Sequence, residues 1–175
     1  MKRRLLAIGL AVVAAAAVYF FLIRDSTVAP QVRVPQLAAT IGSGSDAVGV
    51  SGEGEVVPWL PLPEDLSLPE LPLTELPKGG RLAGPMLQQA RVLGAAPAAL
   101  QPYLSGSYYG ESGVDVELTS GIELRFGDAS QAQRKWRAAA AVLADPSITA
   151  LDYVDLHAPG QAAIGGSGHT LPPVP

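Results

Sequence analysis

The sequence predicts an α+β fold: one N-terminal transmembrane helix, then a small domain with an antiparallel or mixed sheet and a split β-α-β unit. Three observations predict it. Apolar residues alternate with charged ones at Val114, Val116 and Leu118, and again at Ile122, Leu124 and Phe126, on either side of Ser120-Gly121. Ala129, Ala132, Trp136, Ala139, Ala140 and Leu143 then recur at helical spacing, and a strand-like stretch follows Pro146 at residues 150–156. Finally, an uncharged run at residues 5–23 stands behind Lys2, Arg3 and Arg4. A period of two places each apolar set on one face of a sheet, and a period of 3.6 places the second set on one stripe of a helix. Strand, helix and returning strand then make a crossover for which a right hand is expected.

The uncharged run comes first in the chain. At 1.5 Å per residue it spans roughly 28 Å, close to the thickness of a hydrocarbon core. Tyr19, Phe20 and Phe21 sit near its far end, where aromatic rings favour the membrane interface. Three basic residues before it and Arg24 after it orient the N-terminus toward the cytoplasm. Residues 1–24 thus read as a cytoplasmic tip and a single membrane span. The rival reading is a cleaved signal peptide, cut near residues 15–17. Both readings place the remainder outside the cytoplasm. From Asp25 onward there are 8 basic and 16 acidic residues, a net charge of −8, which disfavours nucleic acid and anionic headgroups as partners. The chain has no cysteine, which excludes disulfides, thiol nucleophiles and Cys-ligated zinc.

Residues 25–46 contain Pro30, Pro35, Gly42 and Gly44 with little periodicity, and are expected to form a flexible spacer. The folded domain is expected over residues 47–164. It opens with a short hairpin about Gly52 and Gly54, flanked by Val48, Val50, Val56 and Val57. No Gly-Lys-Ser/Thr follows these glycines, so they do not read as a phosphate loop. Residues 58–77 are rich in proline and leucine. Proline removes a ladder donor and fixes φ, so neither an interior strand nor a helix is expected there. An extended segment lying on the domain, with Trp59, Leu60, Leu62 and Leu66 in grooves, is preferred to a polyproline ligand, since so many free leucines would be poorly solvated.

Gly84-Pro85 opens a helix to about Leu93, with proline at a tolerated first-turn position. A short helical turn at residues 97–104 and a strand at residues 105–109 lead into the central hairpin. Asp128 or Ser130 is expected to cap the second helix. Trp136 lies on the apolar stripe and reads as core, with Arg134, Lys135 and Arg137 on the solvated face. Residues 165–175, rich in glycine and proline, are expected to be a disordered tail.

Catalytic signatures are scarce. No His, Asp or Glu cluster has metal spacing, and Ser105, Ser107 and Ser112 lack a G-x-S-x-G elbow. Asp115 and Glu117 stand two apart on a strand and read as a solvated face rather than an acid–base pair. No cofactor and no small-molecule substrate are expected.

Taken together, Leu118-Thr-Ser-Gly-Ile-Glu-Leu-Arg-Phe-Gly-Asp128, then Arg134-Lys135-Trp136, then Tyr153-Val154-Asp155-Leu156, resemble the end of the FtsQ/DivIB cell-division proteins. That family shows an L-x-x-G-x-x-L-x-x-G hairpin, a helix with a basic start and a closing Y-V-D-L-R strand in this order. The resemblance covers the last 60 or so residues and reaches back weakly to Ala47. It implies a non-catalytic, single-pass scaffold of the division machinery, with its C-terminal domain outside the cytoplasm. It also implies FtsB-like and FtsL-like division proteins as partners, bound by strand addition at the closing strand. By matching position, the contact residues would be Tyr153, Asp155, Leu156, His157, Ala162, Ala163 and Ile164. Two departures stand out. Family members carry a POTRA domain after the membrane helix, and 22 residues of spacer cannot build one. Many relatives place Arg-Tyr after Y-V-D-L, where this chain has His157-Ala158. The competing expectations are an accessory subunit of a cell-envelope enzyme and a secreted binding domain of unrelated function.

Overall fold

The computed structural model describes residues 35–62, 67–73 and 75–173. The expected cytoplasmic tip and membrane span lie outside the described residues, as does Leu66. Among the described residues no helix is long and apolar enough to cross a membrane.

Residues 35–175 form one α+β unit with two sheets and two helices. The smaller sheet holds β1 (Leu37–Ile41), β2 (Val48–Ser51), β3 (Val56–Val57) and β4 (Glu70–Leu71) in the order β3-β2-β1-β4. β2 and β3 make the expected hairpin, pairing Val50 with Val56. Gly54 closes its turn at φ +79°, where a Cβ would also collide with Leu87. β1 corrects the expectation of a flexible spacer: Ala38, Ala39 and Ile41 are buried, and β1 is paired by β2 on one side and β4 on the other. Leu-Ala-Ala-Thr-Ile has little strand signal of its own, and pairing on both sides sets its conformation.

In the proline-rich segment, which is described in part, residues 58–60 form a turn and β4 supplies the anchor. Leu71 is fully buried in β4, and the Pro69 carbonyl accepts the Thr40 N–H at 3.0 Å. Trp59 fills no groove and is 64% exposed. With Pro69 and Pro72 on either side, β4 is confined to two residues at a sheet edge, where missing donors are tolerated.

The larger sheet has the order β5-β6-β7-β8-β9: β5 (Leu104–Gly110), β6 (Gly113–Leu118), β7 (Glu123–Gly127), β8 (Ala150–Asp155) and β9 (Ala163–Thr170). All neighbours are antiparallel except β7 and β8, which run parallel and are joined by the helix α2 (Ala132–Leu143). β7 and β8 pair directly, so the β-α-β unit is not split: the β5-β6 hairpin joins the other side of β7 and nothing lies between them. The helix α1 (Gly84–Gly94) packs against both sheets, touching β1, β2, β5 and β6.

One core holds these elements. Trp136 is fully buried, its ring centroid 4.8 Å from that of Phe126, and its indole N–H donates to the Val92 carbonyl of α1 at 2.7 Å. Lys135, expected on the solvated face, is only 2% exposed. Its ammonium donates to the carbonyls of Phe126 (2.7 Å) and Asp128 (3.0 Å) and to the Asp128 carboxylate (3.0 Å), which satisfies all three protons. Neither Asp128 nor Ser130 caps α2. The Asp128 carboxylate instead accepts the Ser130 N–H and hydroxyl in an Asx turn, and Gln131 occupies the cap position without a side-chain bond. The Ser130 hydroxyl and then Lys135 hold the Asp128 carboxyl down at about 2.

The expected disordered tail is also corrected. Residues 163–170 form β9 on β8, Pro172 is buried, and the Tyr103 hydroxyl donates to the Pro173 carbonyl at 2.7 Å. Glycine lowers strand propensity, but a neighbouring strand supplies the ladder that the local sequence does not ask for.

Candidate partner-docking edge

β8 supplies the residues that the sequence singles out. Leu151, Val154 and Leu156 are buried in the core. Tyr153 and Asp155 lie opposite Glu123 and Arg125 of β7. These four side chains form one polar strip. Arg125 stacks over the Tyr153 ring at 4.1 Å and pairs with Glu123 at 2.6 Å, and the Tyr108 hydroxyl donates to the other oxygen of Glu123. Each charge in the strip therefore has a fixed neighbour.

His157 follows directly. Asp155 accepts both its backbone N–H (2.9 Å) and its ring Nδ1 (2.7 Å), while Nε2 lies 3.3 Å from the Ser112 carbonyl. Both ring nitrogens face acceptors, an arrangement that only the doubly protonated imidazolium satisfies. The hydrogen bond with Asp155 accordingly raises the His157 pKa, and the His157 backbone N–H, ahead of its ring, lowers that of Asp155. Gly127, at φ +68°, leaves the space the ring occupies: a Cβ there would collide with the imidazole.

Asp115 departs from expectation. Rather than sharing a solvated face with Glu117, it is 8% exposed, and its Oδ1 has no hydrogen-bond partner. A register shift at Val114/Asp115 changes the alternation here, and the long side chains of Tyr108 and Arg125 flank it in register. Burial raises its pKa, opposed by the positive charges of Arg125 and His157.

The expected edge has moved by one strand. β8 is paired on both sides, by β7 and β9, so the outer strand is β9. The opposite outer strand, β5, is approached by β4. Of the expected contact residues, Leu156 is 1% exposed and offers no side chain to a partner, and its N–H extends the ladder to the Arg125 carbonyl at 2.8 Å. Ala162 is half-buried against the core. Ala163 and Ile164 are exposed on β9, Ile164 by 47%. Edge strands are commonly guarded by lysine or proline. β9 reads Ala-Ile-Gly-Gly-Ser-Gly-His-Thr, with neither. The sequence reading missed the role of Glu123 and Arg125, whose alternation marked them only as outward-facing, that of Tyr108, which read as a sheet residue rather than a binding platform, and the extent of β9, which its glycines masked. Among the described residues no group of three or more His, Asp or Glu is placed to hold a metal ion.

This arrangement has a counterpart among known families. The family model for "Cell division protein FtsQ/DivIB, C-terminal" matches residues 39–157, from β1 to the end of the polar strip and more than half of the chain. No curated protein matches the sequence. With the hairpin, the crossover helix and the Tyr153–Leu156 strand all inside the matched span, the chain belongs to the FtsQ/DivIB family of cell-division proteins.

Proposed function

We propose that this chain is a non-catalytic scaffold of the division machinery, anchored by residues 5–23 with its N-terminus in the cytoplasm, that receives a strand of a membrane-anchored division protein on the outer edge of β9. The observation that carries the reading is β9 itself: an outer strand of eight residues without Lys, Arg, Asp or Glu, on which Ile164 is exposed. Strand addition draws affinity from main-chain bonds and specificity from adjacent side chains. Those side chains would be Ala163 and Ile164, with Tyr153, Asp155 and His157 on the neighbouring strand and just beyond it. FtsB-like and FtsL-like proteins are the partner class, the FtsB-like one at this edge.

The test uses the full chain in detergent and the FtsB-like protein of the same cell. Ala163→Pro deletes one backbone donor, and Ile164→Lys installs the missing guard charge. Both variants are expected to keep the parent's circular dichroism and to lose capture at least about tenfold, the effect of roughly 1.4 kcal/mol. Capture at parental affinity by both folded variants would reject the edge as the docking site.

A further inference from the structure

β8 and β9 do not pair evenly. Leu151 faces His169 and Tyr153 faces Gly165, so Gly166, Ser167 and Gly168 all stand opposite Asp152 alone. The Asp152 carboxylate fills the bulge: its Oδ1 accepts the Gly168 N–H at 2.6 Å. A Cβ at Gly166 or at Gly168 would collide with that carboxylate, and Gly166 lies at φ +78°. The two glycines are therefore the residues that let β9 wrap an acid.

This geometry bears on the strand-addition reading, on which the inference rests. A ladder needs consecutive extended residues with donors and acceptors at regular spacing. Left-handed Gly166 breaks the extended run, and the Gly168 donor is already committed to a side chain of β8. We infer that Asp152 is a positioning residue that divides the β9 edge, so that an incoming strand pairs with the Ala163–Gly165 side and stops at Gly166. Asp152 thereby sets the register and length of the partner segment, which in a glycine-rich strand side-chain pattern alone specifies weakly.

The chain lacks cysteine, so one introduced thiol reports one position. Ala163→Cys and Thr170→Cys, each carrying a benzophenone label, are combined with parental Asp152, Asp152→Ala or Asp152→Asn and mixed with the FtsB-like protein. The amide exchange of Gly168 is followed in the unlabelled proteins. In the parent, cross-links are expected from position 163 and not from 170. Asp152→Ala should extend them to 170 and speed Gly168 exchange roughly tenfold, the loss of one hydrogen bond. Asp152→Asn keeps the acceptor oxygen and should behave as the parent. Equal cross-linking from both positions in the parent, or Gly168 exchange indifferent to Asp152→Ala, would overturn the register role while leaving docking intact. No cross-link from either position would overturn docking at this edge and the register role with it.

Discussion

Asp115 and His157 stand close enough to feel each other's charge, and their pKa values both move up for opposite reasons. Burial penalises the Asp115 carboxylate, whereas Asp155 stabilises the His157 imidazolium. For each, the folded value lies above the ordinary one, so the stability tied to the bound proton is present below the ordinary value and is lost as pH rises through the folded value. For Asp115 that means a cost at neutral pH. Asp115→Asn is expected to raise stability at pH 7 by about 1 kcal/mol, the low end for an unsatisfied buried group, and to make no difference near pH 3. Urea titrations at the two pH values check this, and an equal effect at both would show that charge is not the cause. Asp155, lowered, contributes above its ordinary value and loses that contribution as pH falls through its folded one. The pair is thus strongest between roughly pH 4 and 6.5, bounded by the two ordinary values. Asp155→Asn should bring the His157 titration midpoint down, as read from its ring resonances. An unmoved midpoint would mean that Asp155 does not hold the imidazolium.

At the scale of elements, β9 protects β8. It covers the β8 edge, and beyond it Leu171 packs on the core and Tyr103 holds Pro173. Truncation after His157 removes all of this and opens the full length of β8. The truncated chain is expected to melt lower and to associate through the bared edge, since an unguarded strand templates pairing. Differential scanning fluorimetry and light scattering check both effects. A monomer with the parental melting point would show that β9 adds nothing to the fold. The bulge at Asp152 also matters for solubility: a kinked outer strand pairs with fewer stray chains than a straight one.

Across the whole domain, Trp136 joins parts that are far apart in sequence. It sits on α2, meets the Phe126 ring of β7 at a tilt of 52° and donates to the Val92 carbonyl of α1. α1 in turn touches the smaller sheet, so one side chain helps tie both sheets together. Trp136→Ala should cost roughly 3–5 kcal/mol, a large share of the about 5–15 kcal/mol that holds a domain folded. Trp136→Phe keeps most of the ring and leaves the Val92 carbonyl the Ala95 N–H at 3.2 Å, so it loses one hydrogen bond and should cost about 0.5–1.5 kcal/mol. Chemical denaturation separates the two, and a loss below about 1 kcal/mol for Trp136→Ala would place the indole outside the energetic core.

Local pattern determined a good deal by itself. Apart from Asp115, the hairpin at Ser120-Gly121 follows its period, as do α1 behind Pro85 and α2 with buried Trp136, and the return strand at residue 150 follows the helix stop at Pro146. The family was legible from the same stretch. What tertiary structure decided were the features whose cause lies elsewhere in the chain. β1 is a strand because β2 and β4 flank it. Lys135 is buried because the carbonyls at the end of β7 await its ammonium. Asp115 is buried because a register shift turns it under its neighbours. β9 extends through its glycines because β8 offers a ladder and Asp152 an acceptor, and it takes the edge that the sequence reading had assigned to β8. A sequence displays its own periodicity, but an edge is defined by which strand has no neighbour, and that is a property of the assembled sheet alone.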